Sequence, residues 1–143
     1  MPSGDFVTTR VHHYYHHNDH NCAVTTLKIL AEKFAINLHD QVLDAALGMH
    51  GAGGLRAQCG LVEGALLFMP IYGKTRNQAD EQIVAWCKQF ADDFEENFDS
   101  LQCRELRPQG FTPDNPPHLC EKLTCRANEF AITFMLTQIS ANK

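Results

Sequence analysis

Apolar positions recur along this chain at intervals of three and four, the spacing that lines one face of an α-helix. The clearest stripe is Ala23, Leu27, Leu30 and Phe34, with Val24 and Ala31 beside it, and it predicts a helix over 20–35. Leu38, Val42, Ala45, Ala46 and Met49 predict a shorter helix over 38–47. A central helix is expected over 56–71, in the most apolar stretch, where Pro70 is placed to bend or end it and Gly73 to mark the turn. Ala79, Ile83, Cys87, Phe90 and Phe94 predict a long helix capped by Thr75 or Asn77 and reaching Phe98. Leu123, Ala127, Phe130, Phe134 and Gln138 predict a last helix from Pro117 to Ile139. Short helical segments are expected over 9–17 and 100–106. Residues 1–8 read as a loose lead-in and the proline-rich 107–117 as a loop. No stretch alternates with period two. The expected fold is all-α: one domain, a helical bundle of four to five main helices with short connecting helices.

Glycine interrupts this pattern in two places. Gly48, Gly51, Gly53 and Gly54 fall within seven residues, too many for a stable helix interior. Gly60 and Gly64, four apart, strip the side chains from one face of the central helix at a cost of about 1 kcal/mol each relative to alanine. A neighbouring backbone can then approach closely, either as plain helix packing or to build a site.

Composition narrows the function. The chain has 143 residues, 44% of them hydrophobic and 20% charged, as expected of one globular domain. Its net charge is −5 and its basic residues form no patch, which argues against nucleic acid and anionic membrane surfaces as partners. The longest apolar run, near 65–72, is too short to insert across a bilayer, and the N-terminus shows no secretory signal. A cytoplasmic location is therefore expected. In that reducing compartment six cysteines are not a disulfide framework by default.

No CxxC or CxxCH occurs, so zinc ribbons, thioredoxin-like motifs and attached haem lose their usual signals. Position is more informative. Cys22, Cys59 and Cys120 fall near predicted helix starts, where unsatisfied N–H groups and the helix dipole favour a thiolate, and Cys103 is flanked by Arg104. Cys87 and Cys125 read as small buried hydrophobes. Arg56, Cys59 and Glu63 would share one helix face. The Gly51, Gly53 and Gly54 loop could offer backbone N–H donors to an anionic group. His12/His16 and His13/His17 are i,i+4 pairs able to chelate a metal, although an exposed polar segment explains them as well. His20 and His118 each lie two residues before a cysteine, and His50 sits in the glycine loop. Nothing suggests hydrolysis or phosphoryl transfer.

The segments NCAVTTL, CGLVEGAL, CREL and HLCEKL, in this order and spacing, resemble the redox-active family named for its C_GCAxxG_C_C cysteine pattern, over about Tyr14 to Ile139. The resemblance implies an all-helical domain with redox or metal–sulfur chemistry, and its shared cysteines carry over to Cys22, Cys59, Cys103 and Cys120. Leu61 departs from the family's alanine, and Glu63 brings an acid into a segment of small or apolar residues. The leading expectation is an iron–sulfur or other metal–thiolate site on these four cysteines. His20 and His118 would be further ligands, with Gly51, Gly53, Gly54, Gly60 and Arg56 around the cofactor. A metal-free thiol–disulfide oxidoreductase or redox sensor is the alternative, and a helical interaction module with structural zinc is another. A redox partner protein is expected, and a homodimer is compatible with the chain.

Overall fold

The computed structural model describes residues 3–106 and 121–139, and it is all-α, with no strand among them. The elements are α1 (Ser3–His16), α2 (Cys22–Lys33), α3 (Asp40–Ala45), α4, a single turn at Gly51–Gly54, and α5 (Gly60–Thr75). They continue with α6 (Asp80–Phe98), α7 (Cys103–Leu106) and α8 (Glu121–Phe134), which runs into a π-helical turn at Met135–Ile139. The expected loop over 107–117, the helix start at Pro117, His118 and Cys120 lie outside the described residues.

At the centre α2 lies against α5, joining Leu27, Leu30, Val62, Ala65, Phe68 and Met69 in one fully buried layer. α6 packs on α5 and α8 through an aromatic cluster in which the Phe90 ring lies 5.4–5.9 Å from those of Phe94, Phe130 and Phe134. α1 covers α8 and α2 with Val7, Val11 and Tyr15, and Tyr15 Oη shares a buried 2.6 Å hydrogen bond with Thr124 Oγ1. At its far end α1 is tied to α8 again, because His16 and His12 reach the Glu121 carboxylate. Burial would push that carboxyl up, but the hydrogen bonds from His16 and His12 more than offset it, so the net shift is downward.

Several boundaries differ from the sequence expectation, each for a local reason. The lead-in is helical from Ser3, continuous with the helix expected over 9–17, and its buried Val7 joins Val11 and Tyr15 in covering α8 and α2 although the segment is otherwise polar. Helix α2 begins at Cys22 and not at His20, since Asn21 takes the N-cap position with extended backbone and its Oδ1 accepts from Val24 N at 2.8 Å. Helix α5 begins at Gly60. Arg56 has φ +61° and Cys59 is extended, so Arg56, Cys59 and Glu63 do not share a helix face. Pro70 does not end α5, which continues to Thr75 with Gly73 buried inside it. A Cβ on Gly73 would stand 2.7 Å from Ile83 Cγ1, so this glycine lets α6 approach rather than forming a turn. Helix α6 is capped by Ala79 and not by Thr75 or Asn77, and Asp99, with φ +72°, ends it.

Candidate functional site

Two helix starts meet at the cysteines. Cys22 is the first residue of α2, and Cys59 is the N-cap of α5. The contact that joins them is made by Gly60: a Cβ there would overlap Cys22 Sγ and stand 2.7 Å from Met49 O and 3.2 Å from Ala23 N. One turn on, a Cβ on Gly64 would lie 2.7 Å from Ala23 O and 2.9 Å from Thr26 Cβ. The two glycines form a bare strip on which the N-terminal end of α2 rests, so the Cys22 sulfur reaches the backbone next to Cys59. Each helix N-terminus carries roughly half a positive charge, and together they favour negative charge on the sulfurs.

The third cysteine arrives through the backbone. Residues 57–59 pair antiparallel with 101–103: Cys59 N donates to Leu101 O at 2.8 Å and Cys103 N to Ala57 O at 2.7 Å, around the facing pair Gln58 and Gln102. Successive residues in such a ladder point to opposite sides. Cys59 and Cys103 therefore lie on the side of this short ribbon away from both glutamines. Arg104 reinforces the pairing, its N and Nε donating to Arg56 O at 3.2 and 3.1 Å. Cys103 also starts α7, so all three described motif cysteines sit at a helix start or cap. Cys22 and Cys103 are half-buried, and Cys59 is 5% exposed.

A rigid corner supports this arrangement. Asn21, next to Cys22, donates from Nδ2 to Leu47 O at 2.7 Å and to Ala46 O at 3.2 Å, fastening the start of α2 to the segment that carries Met49. Gly51, Ala52, Gly53 and Gly54 all have positive φ, between +56° and +83°, and wind one left-handed turn. Glycine adopts these values at no steric cost, and Ala52 pays for its own by being held between glycines. The Gly53 and Gly54 amides close onto Gly48 O and His50 O, and Gly51 O accepts from Leu55 and Ala57. The turn thus occupies the Gly53 and Gly54 amides internally and leads the chain toward residues 57–59. Asn21→Ala removes the cap and both anchors at once. It should destabilise the protein by about 1–3 kcal/mol in urea denaturation, whereas Asn21→Asp, which keeps the cap acceptor, should lose less.

Glu63, one turn into α5, has a buried Oε2 with no hydrogen-bond partner, and burial raises its carboxyl above the ordinary 4.5. The folded state thus favours the neutral acid. Its contribution to stability is fully present below the ordinary value and is lost as pH rises through the raised one. Glu63→Gln cannot titrate, so the variant should gain in Tm over wild type as the pH is raised from below the ordinary carboxyl value to neutrality. Tm profiles that stay parallel across this range would show that the carboxyl does not titrate as described.

The other candidates lie elsewhere. His20 is half-buried, its ring lies tilted beside that of Tyr14, and its Nε2 accepts from Lys28 Nζ at 2.8 Å, which occupies the lone pair a metal would use. Burial and then Lys28 lower its pKa, so the ring is held neutral. The Arg56 backbone braces the ribbon through its carbonyl, and His50 lies 3.5 Å from Asn21 Nδ2 at the edge of the glycine turn. Cys87 and Cys125 are half-buried free thiols whose pKa values burial pushes up, Cys125 despite a hydrogen bond with Thr8. Asn21 and Glu121 escaped the sequence reading. For Asn21 the signal was present, since an asparagine directly before an apolar-periodic run is a strong N-cap pattern. Nothing in the sequence paired Glu121 with the α1 histidines.

No curated protein and no solved structure matches the chain. The family model described as "Putative redox-active protein (C_GCAxxG_C_C)" matches residues 20–134, a span that includes Cys22, Cys59, Cys103 and Cys120. With the family model covering most of its length, the chain belongs to the C_GCAxxG_C_C family.

Proposed function

We propose that Cys22, Cys59 and Cys103, with Cys120 as the fourth thiolate, hold an iron–sulfur cluster for electron transfer. The observation that carries this reading is the bare Gly60 position, which admits the Cys22 sulfur beside Cys59 at the meeting of two helix N-termini. Thiolates complete the ligand set of either common cluster type, and positive helix ends suit an anionic centre. A bound cluster would supply one-electron storage, taking an electron from a donor protein and passing it to an acceptor protein. The residues of this chain hold the sulfurs and exclude water from Cys59. Zinc in the same thiolate set is the structural alternative. The reading fits a reducing, cytoplasmic compartment. Among the described residues, no helix is long and apolar enough to cross a membrane.

Glu63 favours a second reading, a metal-free thiol–disulfide couple. A buried carboxyl one turn from Cys59, whose proton affinity burial raises, could accept and return the thiol proton. Two thiols would then form one disulfide, giving two electrons and two protons to an acceptor disulfide, which leaves as a dithiol.

Anaerobic purification followed by a visible spectrum and iron and zinc assays separates these readings. The cluster reading expects iron with broad visible absorbance, and a colourless, iron-free protein would overturn it. Zinc in that protein would point to the structural site. If metal is absent as well, thiols counted before and after reductant test the disulfide couple, which fails if all six thiols already react in aerobic protein.

A further inference from the structure

We propose that His12 and His16 of α1, with Glu121 of α8, form a binding site for a divalent first-row transition metal such as zinc. The ligating atoms of the three side chains all lie within 4.8 Å of one another. His16 Nε2 is 2.7 Å from Glu121 Oε1 and His12 Nδ1 is 3.4 Å from Oε2. Donors sharing one ion at about 2.0–2.2 Å stand about 3.4 Å apart, so small side-chain rotations would admit it. The two imidazoles come from one helix at i and i+4 and their ring centroids are 4.3 Å apart. The carboxylate comes from a second helix whose register is set elsewhere. The buried Tyr15–Thr124 hydrogen bond and the packing of α1 against α8 fix it. The third ligand is therefore presented in place, with little ordering left to do on binding.

Two imidazoles and one carboxylate make a donor set suited to zinc and its neighbours, with positions left for water or a further ligand. The His12 and His16 side chains are 62% and 47% exposed, so an ion can reach them from solvent. The set contains no sulfur, and this separates it chemically from the cysteine site and makes it independent of that reading. Glu121 follows Cys120 in the chain. A filled site would replace the hydrogen bonds of His12 and His16 to Glu121 with three ligand bonds, holding α8 to α1 through the ion.

Cobalt(II) titration of the full chain, purified without oxygen, tests the proposal, because thiolate ligation gives an intense near-ultraviolet band that nitrogen and oxygen ligands do not. The expected result is one equivalent of cobalt with weak visible bands and no added thiolate band, displaced by zinc. His16→Ala and Glu121→Gln should each weaken it at least tenfold, with helicity by circular dichroism unchanged, while His13→Ala should not. Three results would overturn the proposal: cobalt bound solely with the thiolate signature, affinity unaltered in both variants, or an equal loss in His13→Ala. The last would mean that the histidine-rich face collects metal without a defined site.

Discussion

Gly60→Ala should destabilise the protein by about 2–3 kcal/mol, a large share of the stability of a domain this size, and should empty the cysteine site of metal. The added methyl would overlap Cys22 Sγ, and behind that sulfur it would press on Met49 O and Ala23 N, which are backbone atoms that cannot swing aside. Either α2 lifts from α5 or Cys22 turns away from Cys59, and both separate the sulfurs. Gly64→Ala should cost about as much, because its methyl meets Ala23 O and Thr26 Cβ. Gly73→Ala is the internal control. Its methyl meets the flexible end of Ile83, and the higher helix propensity of alanine returns about 1 kcal/mol, so its cost should be small. Urea denaturation with bound-metal analysis ranks the three. If Gly60→Ala proves no less stable than Gly73→Ala and retains full metal, the close approach of α2 and α5 is not what builds the site.

Cys59→Ser should reduce bound iron or zinc to under a tenth of the wild-type content while leaving the fold intact. Cys59 is buried, and a buried hydroxyl without a partner costs roughly 1–3 kcal/mol. Here serine would occupy an N-cap position, where its hydroxyl can accept from the first amides of α5, so most of that cost is recovered. The loss is therefore of the sulfur and not of the helix. Cys87→Ser and Cys125→Ser, at half-buried thiols away from the helix starts, should leave metal content unchanged. Metal analysis with circular dichroism decides the matter, and unchanged metal in Cys59→Ser would remove Cys59 from the ligand set.

The main helices and their core faces could be read from periodicity because α2, α5 and α6 bury long, regular apolar stripes, whereas the single turn α4 in the glycine run could not. Start points were harder to place, because they depend on single caps and on backbone conformations with no hydrophobic signature. Asn21 caps α2 two residues after the position expected, and Arg56 at φ +61° takes the first turn away from the expected central helix. Helix α1 was shortened in the reading because its burial is only Val7, Val11 and Tyr15, and those side chains gain from contact with α8 rather than from a pattern of their own. Around the candidate site, the cysteines stood out through their family spacing, and Gly60 and Gly64 through their cost. The pairing of 57–59 with 101–103 was not, since a two-stranded contact of three residues leaves no period-two pattern to find.

That pairing also sets an order of events during folding. Cys22, Cys59 and Cys103 are separated by roughly forty residues at each step, so no pair of them is brought together by a local turn. Helices form within about a microsecond from neighbouring residues, but the ribbon that carries Cys59 to Cys103 must close a long loop, spanning the whole of α5 and α6, first. A chain still being synthesised can build α2 and α5 and yet present no common binding point for the three sulfurs until the segment after α6 has emerged and paired. Were the three sulfurs to share an ion or cluster, a nearly finished fold would receive it.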